Sequence, residues 1–144
     1  MGAALADLPG RFLRLTGVWL LLTSPLSHAL ALNALADSTS ADDDAAIRKL
    51  ITDYRKAIQT KDLALFKTVK QVTDEEERRV KRAFESIKSQ EVEITVLAID
   101  VKGDKANVKA TRRDVIDGSF VASFPQNFVM SKGARGWSIT EITK

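Results

Sequence analysis

"EVEITVLAIDVKGDKANVKATRRDV", Glu91 to Val115, decides the fold. Apolar residues alternate along it, with Val92, Ile94, Val96 and Ala98 on one side, which is the period of a half-buried strand. Gly103-Asp104 supplies a tight turn, and the chain returns with Ala106, Val108 and Ala110 inward. Asp117-Gly118 turns it again. In "SFVASFPQNFVM" the inward positions are Phe120, Ala122, Phe124, Phe128 and Met130, and Pro125 marks a bulge or a bend. After "SKGARG", Trp137 and Ile139 share one face of a last strand. Four strands joined by turns read as an antiparallel meander.

Upstream of Gln90 the period is helical. Ile47, Leu50, Ile51, Tyr54 and Ile58 follow the spacing of one helix face, opposite Arg48, Lys49, Arg55 and Lys56. This helix is expected from Ala45 to about Thr60, with Asp42-Asp43-Asp44 as a linker run and helix cap suited to the dipole. Asp62 caps a short second helix carrying Leu63, Leu65, Phe66 and Val69. Thr73 and Glu76 form a capping box for a third, in which Val80, Ala83, Phe84 and Ile87 make the buried face. Three helices followed by four strands give an α+β class, with the helices on one face of a curved, twisted sheet.

The first 36 residues have a different character. Arg11 and Arg14 precede an apolar run, Leu15 to Leu22, then Pro25 and two small-x-small sites, Ala29-Leu30-Ala31 and Ala34-Leu35-Ala36. This is the order of an export signal, with cleavage expected after Ala36, where the chain turns polar. The domain reading is therefore signal peptide 1–36, linker 37–44 and folded domain 45–144, exported to the periplasm or secreted. A retained anchor and a buried first helix are the alternatives; Ser24, Pro25, Ser27, His28 and Asn33 make a poor membrane span. After cleavage no stable membrane insertion is expected.

The 144 residues suit one domain, with 44% hydrophobic and 28% charged residues. No cysteine is present, which excludes disulfides, thiol nucleophiles and cysteine metal sites. The net charge is +3, and losing Arg11, Arg14 and Asp7 with the leader leaves it mildly basic, so bulk charge does not point to nucleic acid. The one histidine, His28, lies in the leader, so the remaining chain cannot form a Ser–His–Asp or His–Asp device. No metal-ligand cluster and no Gly-rich phosphate loop appears, so no metal or cofactor is expected.

The order of elements resembles the nuclear transport factor 2-like superfamily, the cone-shaped α+β roll that includes ketosteroid isomerase and SnoaL-like cyclases, with the cystatin-like fold. The resemblance rests on "IRKLITDYRKAIQTKDLALFK", with Ile47, Tyr54, Ala57, Asp62, Leu63 and Phe66 in the spaced pattern of the first two helices. "RRVKRAFESIKSQEVEI", "IDVKGDKANVKATRR" and "GWSITEI" carry it into the third helix, a hairpin and the final strand. It extends from Ala45 to Ile142 and looks closest to a small exported bacterial branch. Only Lys70 to Val72 separate helices two and three, where many members have another strand or hairpin, which shortens the rim of the cone. The resemblance implies a pocket on the concave face, and dimerisation through the outer face of the sheet.

Candidate site residues follow. Arg112 shares the side of Ala106, Val108 and Ala110, which points it into the concave face as an anion- or carboxylate-binding group. Tyr54, on the buried helix face, is placed to donate a hydrogen bond there. Phe120, Phe124, Phe128 and Trp137 line an apolar cavity or fill it. Asp100 and Asp114 are the candidate bases, with Tyr54 or Arg112 as polariser. On the outer face Leu97, Ile99 and Val121 are apolar where a solvated face is polar, which marks a sheet-to-sheet homodimer. The reading that fits best is an exported, non-catalytic module that binds a small apolar or anionic ligand, or associates with protein. A small isomerase, dehydratase or cyclase is the alternative.

Overall fold

The computed structural model describes residues 26–144, with side chains from Ser40 onward. The arginine pair and apolar run of the leader lie outside the described residues. Helix α1 spans Leu26–Thr60, α2 Leu63–Val69 and α3 Asp74–Ser86; strands β1 to β4 span Gln90–Lys102, Lys105–Ile116, Phe120–Gly133 and Gly136–Thr143. The strands pair antiparallel in the order β1-β2-β3-β4. Three helices packed on a four-stranded antiparallel sheet are the α+β architecture that the sequence pattern predicts. Among the described residues no helix is long and apolar enough to cross a membrane.

The core is the helical stripe of α1 laid on the inward positions of the sheet. Ile47, Leu50, Ile51, Tyr54, Ala57 and Ile58 are buried together with Val92, Ala106, Val108, Ala110, Phe128, Met130 and Ile139. Helix α1 stops at Lys61, whose φ of 54° is left-handed. There Asp62 N–H donates to Ala57 C=O and Lys61 N–H to Ile58 C=O, the paired bonds of a Schellman ending. The Asp62 carboxylate then caps α2 through Leu65 N–H at 2.9 Å, and Thr73 and Glu76 form the capping box of α3. Helix α3 buries none of its residues. Val80 and Phe84 are half-buried and Ala83 is exposed, because α3 leans on α2 through Phe84 and Phe66 rather than lying on the sheet.

Two expectations fail at β-bulges. The β1–β2 register slips between Val96 and Ala98, so Leu97 is an extra residue. Beyond it every side chain changes face: Ile99 and Val101 turn inward against the core, and Ala98 and Asp100 turn out. The second slip brings an extra residue to β4 at Thr140, between partners Ile139 and Glu141. Pro125 marks neither: it opposes Thr111 in unbroken register.

Helix α1 begins earlier than its apolar spacing indicates, so the backbone of 37–44 is helical rather than a linker. Asp43 does not cap a helix. It is buried and accepts from Trp137 Nε1 at 3.0 Å and Lys132 Nζ at 2.6 Å, tying α1 to the β3–β4 hairpin. The hydrogen bond from Lys132, then that from Trp137, holds the Asp43 carboxyl below its ordinary value of 3.8. A carboxylate depressed by folding stabilises above its unfolded pKa and stops doing so as pH falls through the folded one. Asp43→Asn should therefore lower the urea midpoint at neutral pH, and the gap from wild type should close as the pH drops below 3.8. Thr73→Ala should cost about 1 kcal/mol in the same assay through loss of the α3 cap.

Candidate functional site

Strand alternation places Arg112 and Asp114, two residues apart, on the concave face. The two side chains meet fork to fork, with Nε on Oδ1 at 2.7 Å and Nη2 on Oδ2 at 2.8 Å. Both residues are buried. From the facing helix Tyr54 brings its hydroxyl to Arg112 Nη1, accepting at 3.3 Å. From the start of β1, Gln90 Nε2 donates to Asp114 Oδ2 at 3.2 Å. The Arg112 guanidinium also lies over the Phe124 ring, 5.7 Å from its centroid, and the Phe128 ring stands edge-on to Tyr54 at 5.5 Å.

The chemistry of this cluster is that of a closed pair. The bidentate guanidinium–carboxylate contact, away from water, occupies both carboxylate oxygens and two of the five guanidinium N–H groups, and Tyr54 takes a third. Burial pushes the Tyr54 hydroxyl above its ordinary value, against the pull of the Arg112 charge. That hydroxyl stays protonated and can donate. Gln126, inward on β3, is buried beside it, and its Oε1 has no donor among the described residues.

Tyr54, Arg112 and Asp114 thus come together, with Phe124 and Phe128 against them. The other candidates do not join them. Asp100 faces outward because of the Leu97 bulge and pairs with Lys102 at 3.2 Å, its side chain 59% exposed. Trp137 sits at the other end of β3, with its N–H spent on Asp43 and the Lys132 ammonium 5.8 Å from its ring. Phe120 is 62% exposed rather than inside a cavity. It lies where β3 runs past both the helices, which pack on β1 and β4, and the end of β4 itself. Of the outer-face trio, Ile99 is turned inward. Leu97 and Val121 remain exposed, but the rows Thr95–Thr111–Pro125 and Glu93–Arg113–Ser123 separate them.

Gln90, Gln126 and Lys144 were not singled out from the sequence. Gln126 shares the alternation of Phe124 and Phe128, a signal that could have found it. Lys144 Nζ lies 5.1 Å from the Phe124 ring centroid, a contact that depends on where β4 ends. A separate groove of about 760 Å³ lies between the end of α2 and the β3–β4 hairpin, lined by Lys67, Lys70, Gln71, Arg135 and Trp137 among others. Its two lysines are answered by Glu77 at 2.6 Å and Glu76 at 3.2 Å. Glu76 is held ionised below its ordinary range by the Thr73 N–H, then by Lys70.

No family model matches the chain, and no protein of curated function is similar to it in sequence. Solved structures share its fold. A Kribbella flavida protein superposes with a TM-score of 0.66 at 15% identity, over 72% of this chain and 90% of that one. A nuclear transport factor 2-like superfamily protein from Salmonella enterica gives 0.61 at 16% identity, over 72% and 89%. A Streptomyces avermitilis protein of the same family, to which a dehydratase activity is ascribed, gives 0.60 at 12%, over 73% and 99%. The fold is that of the nuclear transport factor 2-like proteins.

Removing one member of the buried pair leaves the other charge without its partner. Asp114→Ala should cost about 3–5 kcal/mol in urea denaturation, and Arg112→Met with Asp114→Leu should cost much less than the sum of the two single changes. Equal, additive losses would mean that the pair is not coupled.

Proposed function

We propose that this chain is a non-catalytic binding module that works outside the cytoplasm. On this reading the concave side of β3 holds a small ligand with an apolar body and an acidic end. One observation carries the reading. Arg112 and Asp114 are consumed by each other, while on the adjoining wall Phe120 is exposed and Ala122 and Phe124 are half-buried, with a cation beside Phe124. An open apolar strip next to an ammonium favours a carboxylate-bearing apolar molecule over a neutral or cationic one. The Tyr54–Gln126 corner gives such a ligand a polar stop at the inner end of the strip.

The isomerase, dehydratase or cyclase alternative draws on the meeting of Tyr54, Arg112 and Asp114. It asks Asp114 to accept a proton on an oxygen already held by Arg112 or Gln90. A base so saturated is poorly placed for proton transfer.

Calorimetric titration with the straight-chain carboxylates from octanoate to dodecanoate tests the binding reading. Affinity should rise with chain length, by roughly 0.8 kcal/mol for each methylene buried. It should fall roughly tenfold or more in Phe124→Ala and in Lys144→Glu. No binding, or binding indifferent to both changes, contradicts it.

Export rests on Arg11, Arg14, the Leu15–Leu22 run and the Ala34-Leu35-Ala36 site. Ser40, Ala41 and Asp42 are exposed, and Asp43 is the first described side chain to reach the sheet. Cleavage after Ala36 therefore spares every contact that the described side chains of α1 make. The denatured mass of the processed protein should correspond to a chain beginning at Asp37. A full-length mass in the membrane fraction would indicate a retained anchor.

A further inference from the structure

Strand β3 has two neighbours of unequal length. Strand β2 pairs with it from Phe120 to Ser131, whereas β4 pairs only from Asn127 to Gly133. Among the described residues no strand pairs with Phe120–Gln126 on that side, so the segment presents a sheet edge. Edges of this kind are normally blunted by charges, bulges or prolines. Of these devices the segment carries one, Pro125; no charged residue occurs between Asp117 and Lys132, and the register along the segment is unbroken. Two of the three exposed large hydrophobic residues among those described, Phe120 and Val121, sit on it.

Pro125 shows how the edge is oriented. It opposes Thr111 without disturbing the ladder, which puts its missing N–H on the free side. Val121 and Ser123 share its phase, so their N–H and C=O groups also face outward. We propose that this edge pairs antiparallel with the same edge of a second copy, joining two four-stranded sheets into one of eight strands.

The segment is self-complementary about Ser123. A two-fold axis there sets Phe124 opposite the partner's Ala122 and Phe120 opposite the partner's Gln126, so large side chains meet smaller ones on the concave side. On the convex side Val121 meets the partner's Pro125. The two Ser123 residues exchange both backbone hydrogen bonds, and each Val121 N–H donates to the partner's Pro125 C=O. The segment also ends at the right places. The last pair of β4, Thr143 with Asn127, marks one limit, and the Asp117-Gly118 turn marks the other. A foreign strand of arbitrary sequence has no such match. Phe120, Ala122 and Phe124 belong to both the strip and the pairing, and the test below reads only the mass of the protein without any ligand.

Sedimentation equilibrium of the purified chain tests this, with circular dichroism to verify folding. The wild type should have the mass of a dimer. Ser123→Pro removes the central outward N–H where the strand already tolerates Pro125, and Phe120→Lys places a charge on an exposed position. Each should weaken dimerisation roughly tenfold or more. Leu97→Lys, on the outer face, should leave it unchanged. A wild-type monomer at every concentration overturns the proposal. So does a dimer that Leu97→Lys dissociates while Phe120→Lys does not; that outcome would move the contact to the sheet face.

Discussion

A guanidinium clasped by a carboxylate two residues along the same strand is the contact around which the concave face is organised. Arg112 and Asp114 could only meet inside the sheet's curve because strand alternation puts them on one side. They could only stay there because each answers the other's charge. Tyr54 hangs on this pair from α1, and Gln90 from the start of β1. Helix, first strand and second strand are thereby tied at one point, between the apolar core and the uncovered end of β3. The arginine that a ligand's carboxylate would need already holds the chain's own.

The curvature that makes this possible has local causes. Leu97 adds a residue to β1 and a second addition falls at Thr140 in β4; each bulge sharpens the twist where it occurs. At the hairpin end the sheet closes against α1 through Asp43, Lys132 and Trp137. At the other end β4 stops at Thr143 while β3 extends to Phe120, which is exposed among the described residues. One end of the cone is fastened and the other is open, and the apolar residues left without cover collect at the open end.

Much of this was legible in the sequence, because helix periodicity, capping boxes and Gly-Asp or Asp-Gly turns are local signals. The ends of α2 and α3 and the meander follow from Asp62, Thr73, Glu76, Gly103 and Gly118. The meeting of Tyr54, Arg112 and Asp114 was within reach too, since a helix stripe and a strand face bound the same core. What period-two alternation does not reveal is a single inserted residue. Leu97 and Ala98 are both apolar, so nothing in the pattern marks the slip, and strict alternation puts Asp100 and Ile99 on each other's faces. Asp43 looked like a cap because aspartates cluster at helix starts; its partners, Lys132 and Trp137, are some ninety residues away. Phe120 looked internal because alternation reports a face, and only tertiary structure reports whether that face is covered.

The central claim is that Arg112 is held by Asp114 and Tyr54 within the protein and not kept in reserve for a ligand. Nitrogen-15 NMR of its guanidinium measures this most directly. A side chain locked to Asp114 and Tyr54 should show a slowly exchanging Nε–H and separate, slowly interconverting Nη signals at neutral pH. Asp114→Asn should collapse that separation. An averaged Nη signal in the wild type, with Nε–H exchange as fast as that of a surface arginine, would contradict the account and return Arg112 to the list of groups free to bind or to polarise a substrate.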